Sequence, residues 1–169
     1  MRAVRSVPCL VFALGCLLLP IATAQAAPIT IGSPLTASFS SQSVPNSTLF
    51  DLSTQEPGAQ LTSPVDGVIV RWRLLDATGS WRLRVLRPQG GTTYLGAGAS
   101  AQVTPASLGT EVFTTNLPVH AGDTIGVDAQ GPAKIGVVLG WTLACWIPPL
   151  AEGESRAYSA SEPATLACN

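Results

Sequence analysis

Few side chains in this sequence could do chemistry. His120 is the only histidine, which excludes multi-histidine zinc sites and would force any Ser-His-Asp triad to use it. It stands just before Ala121-Gly122-Asp123, a turn sequence in which a histidine is expected to be exposed in a loop. There is no Gly-x-Ser-x-Gly nucleophile elbow. The glycine-rich string Gly96-Ala-Gly-Ala-Ser-Ala101 has no helix after it to complete a dinucleotide fingerprint. Asp66, Asp76, Glu111, Asp123 and Asp128 are the acids from which a glycosidase-type pair would be drawn. Asp66 and Asp76 flank one strand beside turn glycines and Asp123 sits in a corner, so turn duty accounts for them, and no dense run of oxygen ligands supports calcium. No enzyme activity, cofactor or metal is expected.

The binding question falls to arginine and tryptophan. Val68-Ile-Val-Arg-Trp-Arg-Leu74 and Trp81-Arg-Leu-Arg-Val85 each alternate apolar with polar and are separated by the turn signal Asp76-Ala-Thr-Gly79. They read as a hairpin over residues 67–87. Val68, Val70, Trp72, Leu74, Trp81, Leu83 and Val85 would then face the core. With Leu75 opposite Ser80, Arg73 faces Arg82 and Arg71 faces Arg84, and the four share one outer patch. Like charges so placed repel by a few tenths of a kcal/mol per pair. Either Glu111 or another acid on a neighbouring strand offsets them, or their guanidinium forks grip an extracellular glycan or anionic polymer. Trp146 either stands exposed, as a stacking platform for a sugar ring, or lies against the sandwich edge over a disulfide.

The elements that position these residues follow from composition. Charged residues make up 11% of the 169 and Lys134 is the only lysine, which argues against helices laced with Glu-Lys pairs. The hydrophobic period is two, broken at short intervals by Gly, Pro, Ser, Thr, Asn and Asp. Besides the hairpin, strands are predicted at 29–31, 36–40, 48–53, 92–97, 101–104, 111–117, 124–129, 134–139 and 141–146, with a late strand near Arg156 to Ser159. The predicted fold is all-β: an antiparallel two-sheet sandwich, jelly-roll-like, with an immunoglobulin-like sandwich as the alternative.

Ser63-Pro-Val-Asp-Gly-Val68, Leu83-Arg-Val-Leu-Arg-Pro88, Val103-Thr-Pro105 and Leu117-Pro-Val-His-Ala-Gly-Asp-Thr-Ile125 together carry a resemblance. The stretch 60–130 resembles a group of uncharacterised secreted bacterial β-sandwich proteins with a Val-x-Ala-Gly-Asp turn between strands. The resemblance implies the fold and no activity. The physical content of the motif is a glycine free to take positive φ and an aspartate able to bond its own backbone neighbours.

Residues 1–26 have the order of a secretory signal peptide: Arg2 and Arg5, an apolar run from Val7 to Ile21, and a small-residue site at Ala24-Gln-Ala26. The run is too short and too broken by Pro8, Gly15 and Pro20 for a transmembrane helix. Cleavage would leave 143 residues with seven basic and ten acidic side chains, a net charge of −3, which is wrong for a general nucleic-acid binder. It would also leave Cys145 and Cys168 as one pair in an oxidising compartment. The expected organisation is a signal peptide at 1–26, a β-sandwich at 27–146, and a C-terminal tail at 147–169 tied back by that disulfide. The expected role is a secreted, extracellular, non-enzymatic binding or surface-associated module for a glycan or anionic polymer. A structural or assembly protein of the cell exterior is the alternative. The sequence leaves the oligomeric state open.

Overall fold

The computed structural model describes residues 27–53, 56–138 and 142–158. The expected signal peptide, Trp141 and Cys168 lie outside the described residues. The described residues form ten strands: β1 (Phe39–Val44), β2 (Ser47–Ser53), β3 (Gly67–Leu75), β4 (Trp81–Gly90), β5 (Thr93–Ala99), β6 (Thr110–Val119), β7 (Thr124–Ala129), β8 (Ala133–Val138), β9 (Thr142–Trp146) and β10 (Ser155–Ala157). All the pairings are antiparallel. The fold is the all-β antiparallel sandwich that the period of two predicts. No described helix is long and apolar enough to cross a membrane.

One layer is a six-stranded sheet in the order β10-β5-β4-β7-β2-β9. The other is made of two ribbons, β3-β6 and β1-β8, which meet where Gly136 of β8 lies close against Leu75 of β3; just beyond β3, Thr78 forms a backbone bridge to Lys134. Between the layers lies the main core, with Leu49, Trp72, Leu74, Trp81, Leu83, Val85, Leu117, Val119 and Cys145 all buried. A second cluster, Phe50, Leu86, Ala144, Trp146 and Leu150, occupies the opposite face of the large sheet. Its cover includes residues 147–158. Leu150 is fully buried, Tyr158 packs on the cluster, and β10 pairs with β5 close to where a late strand is expected. This part of the expected tail is therefore an integral part of the sandwich.

The hairpin expected over 67–87 does not form. β3 pairs with β6, β4 pairs with β5 and β7, and the chain crosses from one layer to the other between them. Asp76 directs the crossing: at φ 45° its N–H donates to the Gly109 carbonyl at 2.9 Å, and its Oδ1 accepts from the Gly109 N–H at 2.5 Å. Ala77 is buried. Gly79, at φ 87°, lies so close to Ala133 that a Cβ there would stand 2.9 Å from the alanine methyl, so the turn depends on glycine. A turn signal between two alternating runs suits an arch between layers as well as a hairpin within one, and here the contacts of Asp76 and Gly79 decide it.

Inward facing is as expected for Trp72, Leu74, Trp81, Leu83 and Val85. It is not for Val68 and Val70, which are 50% and 58% exposed. The β3-β6 register shifts between Ile69 and Arg71, and such an irregularity resets the alternation upstream of Arg71.

Candidate functional site

Splitting β3 from β4 separates the four arginines. Arg71 and Arg73 are exposed on β3, opposite Thr114 and Val112 of β6. Arg82 and Arg84 belong to the other layer, opposite Asp128 and Gly126 of β7. Arg84 is 5% exposed: its Nε and Nη2 donate to Asp128 Oδ2 at 3.0 and 2.5 Å. Asp128 Oδ1 accepts from the Thr48 hydroxyl at 2.6 Å, and that hydroxyl accepts the Leu150 N–H at 2.8 Å. The shared outer patch therefore does not exist, because it required a pairing that the arch replaces. Glu111 does not offset it either. That side chain turns to Ser107, accepting from its N–H and hydroxyl.

Trp146 is neither an exposed platform nor a cover for Cys145. It is fully buried, stacked on Phe50 with ring centroids 4.6 Å apart, and its Nε1 donates to the Ala157 carbonyl at 2.9 Å. Neighbours on a strand point to opposite faces, so Trp146 joins the outer cluster while Cys145 faces the interlayer core. The acids assigned to turns do serve turns. Asp123 caps its own loop through the His120 N–H at 2.8 Å and takes a bidentate contact from Arg87 at 2.9 and 3.0 Å. Burial raises its pKa, but the Arg87 and His120 contacts outweigh it and hold the carboxyl below the usual range. Asp66 accepts from the Ala121 N–H at 2.8 Å. His120 is exposed.

A large concavity lies between the layers. It is a cavity of about 780 Å³, walled by Leu49, Leu83, Ile125, Val127 and Leu143 of the large sheet and by Ile69, Trp72, Leu74, Val119, Ile135 and Val137 of the ribbons. Residues 27–33 run along it, and Ile29, Val65, Val68 and Val70, all exposed, border it. The side chains are β-branched or apolar because the alternation of each strand turns its hydrophobic face to this space.

Asp51 interrupts this wall. It lies on β2 two residues after Leu49, on the same face, with Leu143 of β9 beside it. Among the described residues no group hydrogen-bonds its carboxyl. Burial, reinforced by the nearby charge of Glu56, pushes its pKa up to about 8, so the carboxyl keeps its proton at neutral pH. Glu56 is held differently. Burial raises its pKa, but hydrogen bonds from Ser33, Thr36 and Ala37 at 2.5 to 3.2 Å hold it below the carboxylate range and pin the 33–37 loop next to the cavity. Trp72 borders the same space, and its indole N–H is buried with no acceptor. The acids weighed from sequence did not include Asp51. The available signal was its parity, since an aspartate two residues from Leu49 occupies a core-facing position. The chain matches no protein-family model, no curated protein and no solved structure.

Proposed function

We propose that this protein is a secreted, non-catalytic β-sandwich that binds a small apolar molecule between its two layers. The observation that carries the reading is the interlayer cavity. At about 780 Å³ it falls in the range of small-molecule sites, roughly 300 to 1,000 Å³. Closed around nothing, a space of that size would cost about 19 kcal/mol at 24 cal/mol per Å³, more than the whole stability of an ordinary domain. It is tolerable with an opening, an occupant, or both. Its aliphatic walls offer water few partners and offer an apolar guest many. Export rests on the order of features in residues 1–26, and a Cys145–Cys168 bond would suit that compartment. For an anionic polymer or glycan, only Arg71 and Arg73 of the four arginines are exposed enough to offer a grip.

The test is a titration with N-phenyl-1-naphthylamine, whose fluorescence rises in apolar surroundings. Binding to the wild type is expected. Val127→Phe and Ile135→Phe, which push a ring into the cavity, should weaken it at least tenfold while the far-ultraviolet dichroism stays that of a folded β protein. Absence of dye binding, or binding indifferent to both substitutions, would overturn the reading.

A second reading, assembly at the cell exterior, is favoured by Val70 and Val112, which are 58% and 57% exposed on adjacent strands β3 and β6. Sedimentation equilibrium separates the two: a dimer dissociated by Val70→Asp with Val112→Asp supports assembly, and a monomer leaves ligand binding.

A further inference from the structure

Resting on the cavity reading, we infer that the ligand is an apolar molecule bearing a hydrogen-bond-accepting oxygen, such as a ketone, ester or alcohol, and that the Asp51 carboxyl is the donor that anchors it. Three observations carry this. The cavity wall is aliphatic apart from a few groups, and Asp51 reaches it from the middle of β2, where a leucine or valine would suit the core better. Its carboxyl has no described hydrogen-bond partner. Trp72 Nε1–H, buried on the same wall without an acceptor, is also a donor, while Asp51 is half-buried. A buried donor without an acceptor costs free energy, and a guest that supplies one recovers it.

The surrounding charges favour a neutral guest. Glu56 is the ionisable group whose charge acts on Asp51, and hydrogen bonds from the 33–37 loop already engage it. Asp66, Arg71 and Arg73 border the cavity but point to solvent. Beside Asp51, β9 contributes Leu143. From β8, Ile135 and Val137 face the space, and Lys134 is exposed. A carboxylate guest with its head group beside Asp51 would meet the two acids, the bordering Arg71 and Arg73 being exposed on β3. An ammonium guest would have to take the proton off Asp51 and leave an ion pair in aliphatic surroundings, at a desolvation penalty that the single contact does not recover.

Equilibrium dialysis of the intact exported protein against octane, 2-octanone, octylamine and octanoate, at pH 6.5 and 9.5, tests the inference. The chains are matched in length, so the head group alone differs. At pH 6.5, 2-octanone should bind about tenfold tighter than octane, and the advantage should shrink at pH 9.5 as Asp51 ionises. Asp51→Asn, which keeps an N–H donor but cannot ionise, should retain the ketone preference at both pH values. Asp51→Leu should lose it at both while still binding octane. Octylamine or octanoate as the tightest binder would overturn the ligand class. Equal binding of ketone and octane would remove Asp51 as anchor and leave the apolar cavity reading standing. No binding of any of the four, by protein whose dichroism shows it folded, would overturn both, and would mean that the chain's own residues fill the space.

Discussion

Removing the Asp128 carboxylate should be among the most damaging single changes in this protein. The Arg84 and Asp128 side chains are 6% and 0% exposed, so Asp128→Ala leaves a guanidinium charge buried with no counter-charge. Its Nε and Nη2 lose their acceptor, joining Nη1, which is already without one, and the Thr48 hydroxyl loses the oxygen it donates to. Breaking a buried pair from one side costs about 3 to 5 kcal/mol. At a urea m-value of about 2 kcal/mol per molar, a loss of about 4 kcal/mol lowers the unfolding midpoint by about 2 M. Replacing both partners, with Arg84→Met and Asp128→Leu, removes the stranded charge and the desolvation together. The double variant should therefore recover most of the loss, to within about 1 kcal/mol of wild type. Urea titration followed by tryptophan fluorescence measures all of these. A loss below about 1 kcal/mol for Asp128→Ala, or a double variant no more stable than the single one, would refute the account of Arg84 as a buried, paired side chain.

Asp51 gives the stability curve a definite sign. Its pKa is raised from 3.8 to about 8 on folding, so its contribution is fully present below about pH 4 and is lost as pH rises to about 8, an effect on the order of 5 kcal/mol. Asp51→Asn should flatten that slope and be more stable than wild type at pH 8; an unchanged slope in urea titrations from pH 5 to 8 would contradict it. The lowered pKa of Asp123 works in the opposite sense, its contribution present above about pH 4 and lost as pH falls. Arg87→Gln should therefore weaken the protein at pH 6 and make little difference at pH 2, as read by thermal melting at the two values. Non-reducing peptide mass spectrometry should find Cys145 joined to Cys168, a link worth roughly 3.5 kcal/mol on the chain-entropy model, and recovery of both as free thiols would exclude it. Intact mass of the exported protein should begin at Ala27, and retention of residues 1–26 would be the contrary result.

What the sequence made legible is local. Alternation over Trp72 and Leu74, over Trp81, Leu83 and Val85, and along β7 is a property of consecutive residues, and the strand faces follow from it wherever no bulge intervenes. Pairing is not local. Asp76 to Gly79 reads equally as a hairpin turn and as an arch, and the residues that decide between them, Gly109 and Ala133, are far away in the chain. One further sign was present. β2 carries Leu49 beside Phe50, β4 carries Val85 beside Leu86, and β9 carries Cys145 beside Trp146, so each is apolar on both parities. Strands of that kind are covered on both faces. That pattern places β4 in the middle of the molecule, with Arg84 under a cover, and is incompatible with a solvent-facing patch that includes Arg84.

The proposed binding site lies where local rules and the fold disagree. Elsewhere these buried carboxylates are matched: Asp128 with Arg84 and Thr48, Asp123 with Arg87 and its own loop, Glu56 with the 33–37 segment. Between the layers the rules lapse together, in a cavity of about 780 Å³, a carboxyl without a described hydrogen bond and an indole N–H without an acceptor. Each lapse costs stability by itself, through lost dispersion contacts or an unmet donor. Among the described residues, Arg82 Nε and Arg84 Nη1 are also buried without a partner, but they lie away from this space, which Trp72 and Asp51 border and whose rim carries the exposed Ile29, Val65, Val68 and Val70 together with Arg71 and Arg73. On the proposed reading, a guest with an aliphatic body and one acceptor oxygen would fill the cavity and meet the indole N–H or the Asp51 carboxyl in a single event, so that the departure from local rules at this space would serve binding.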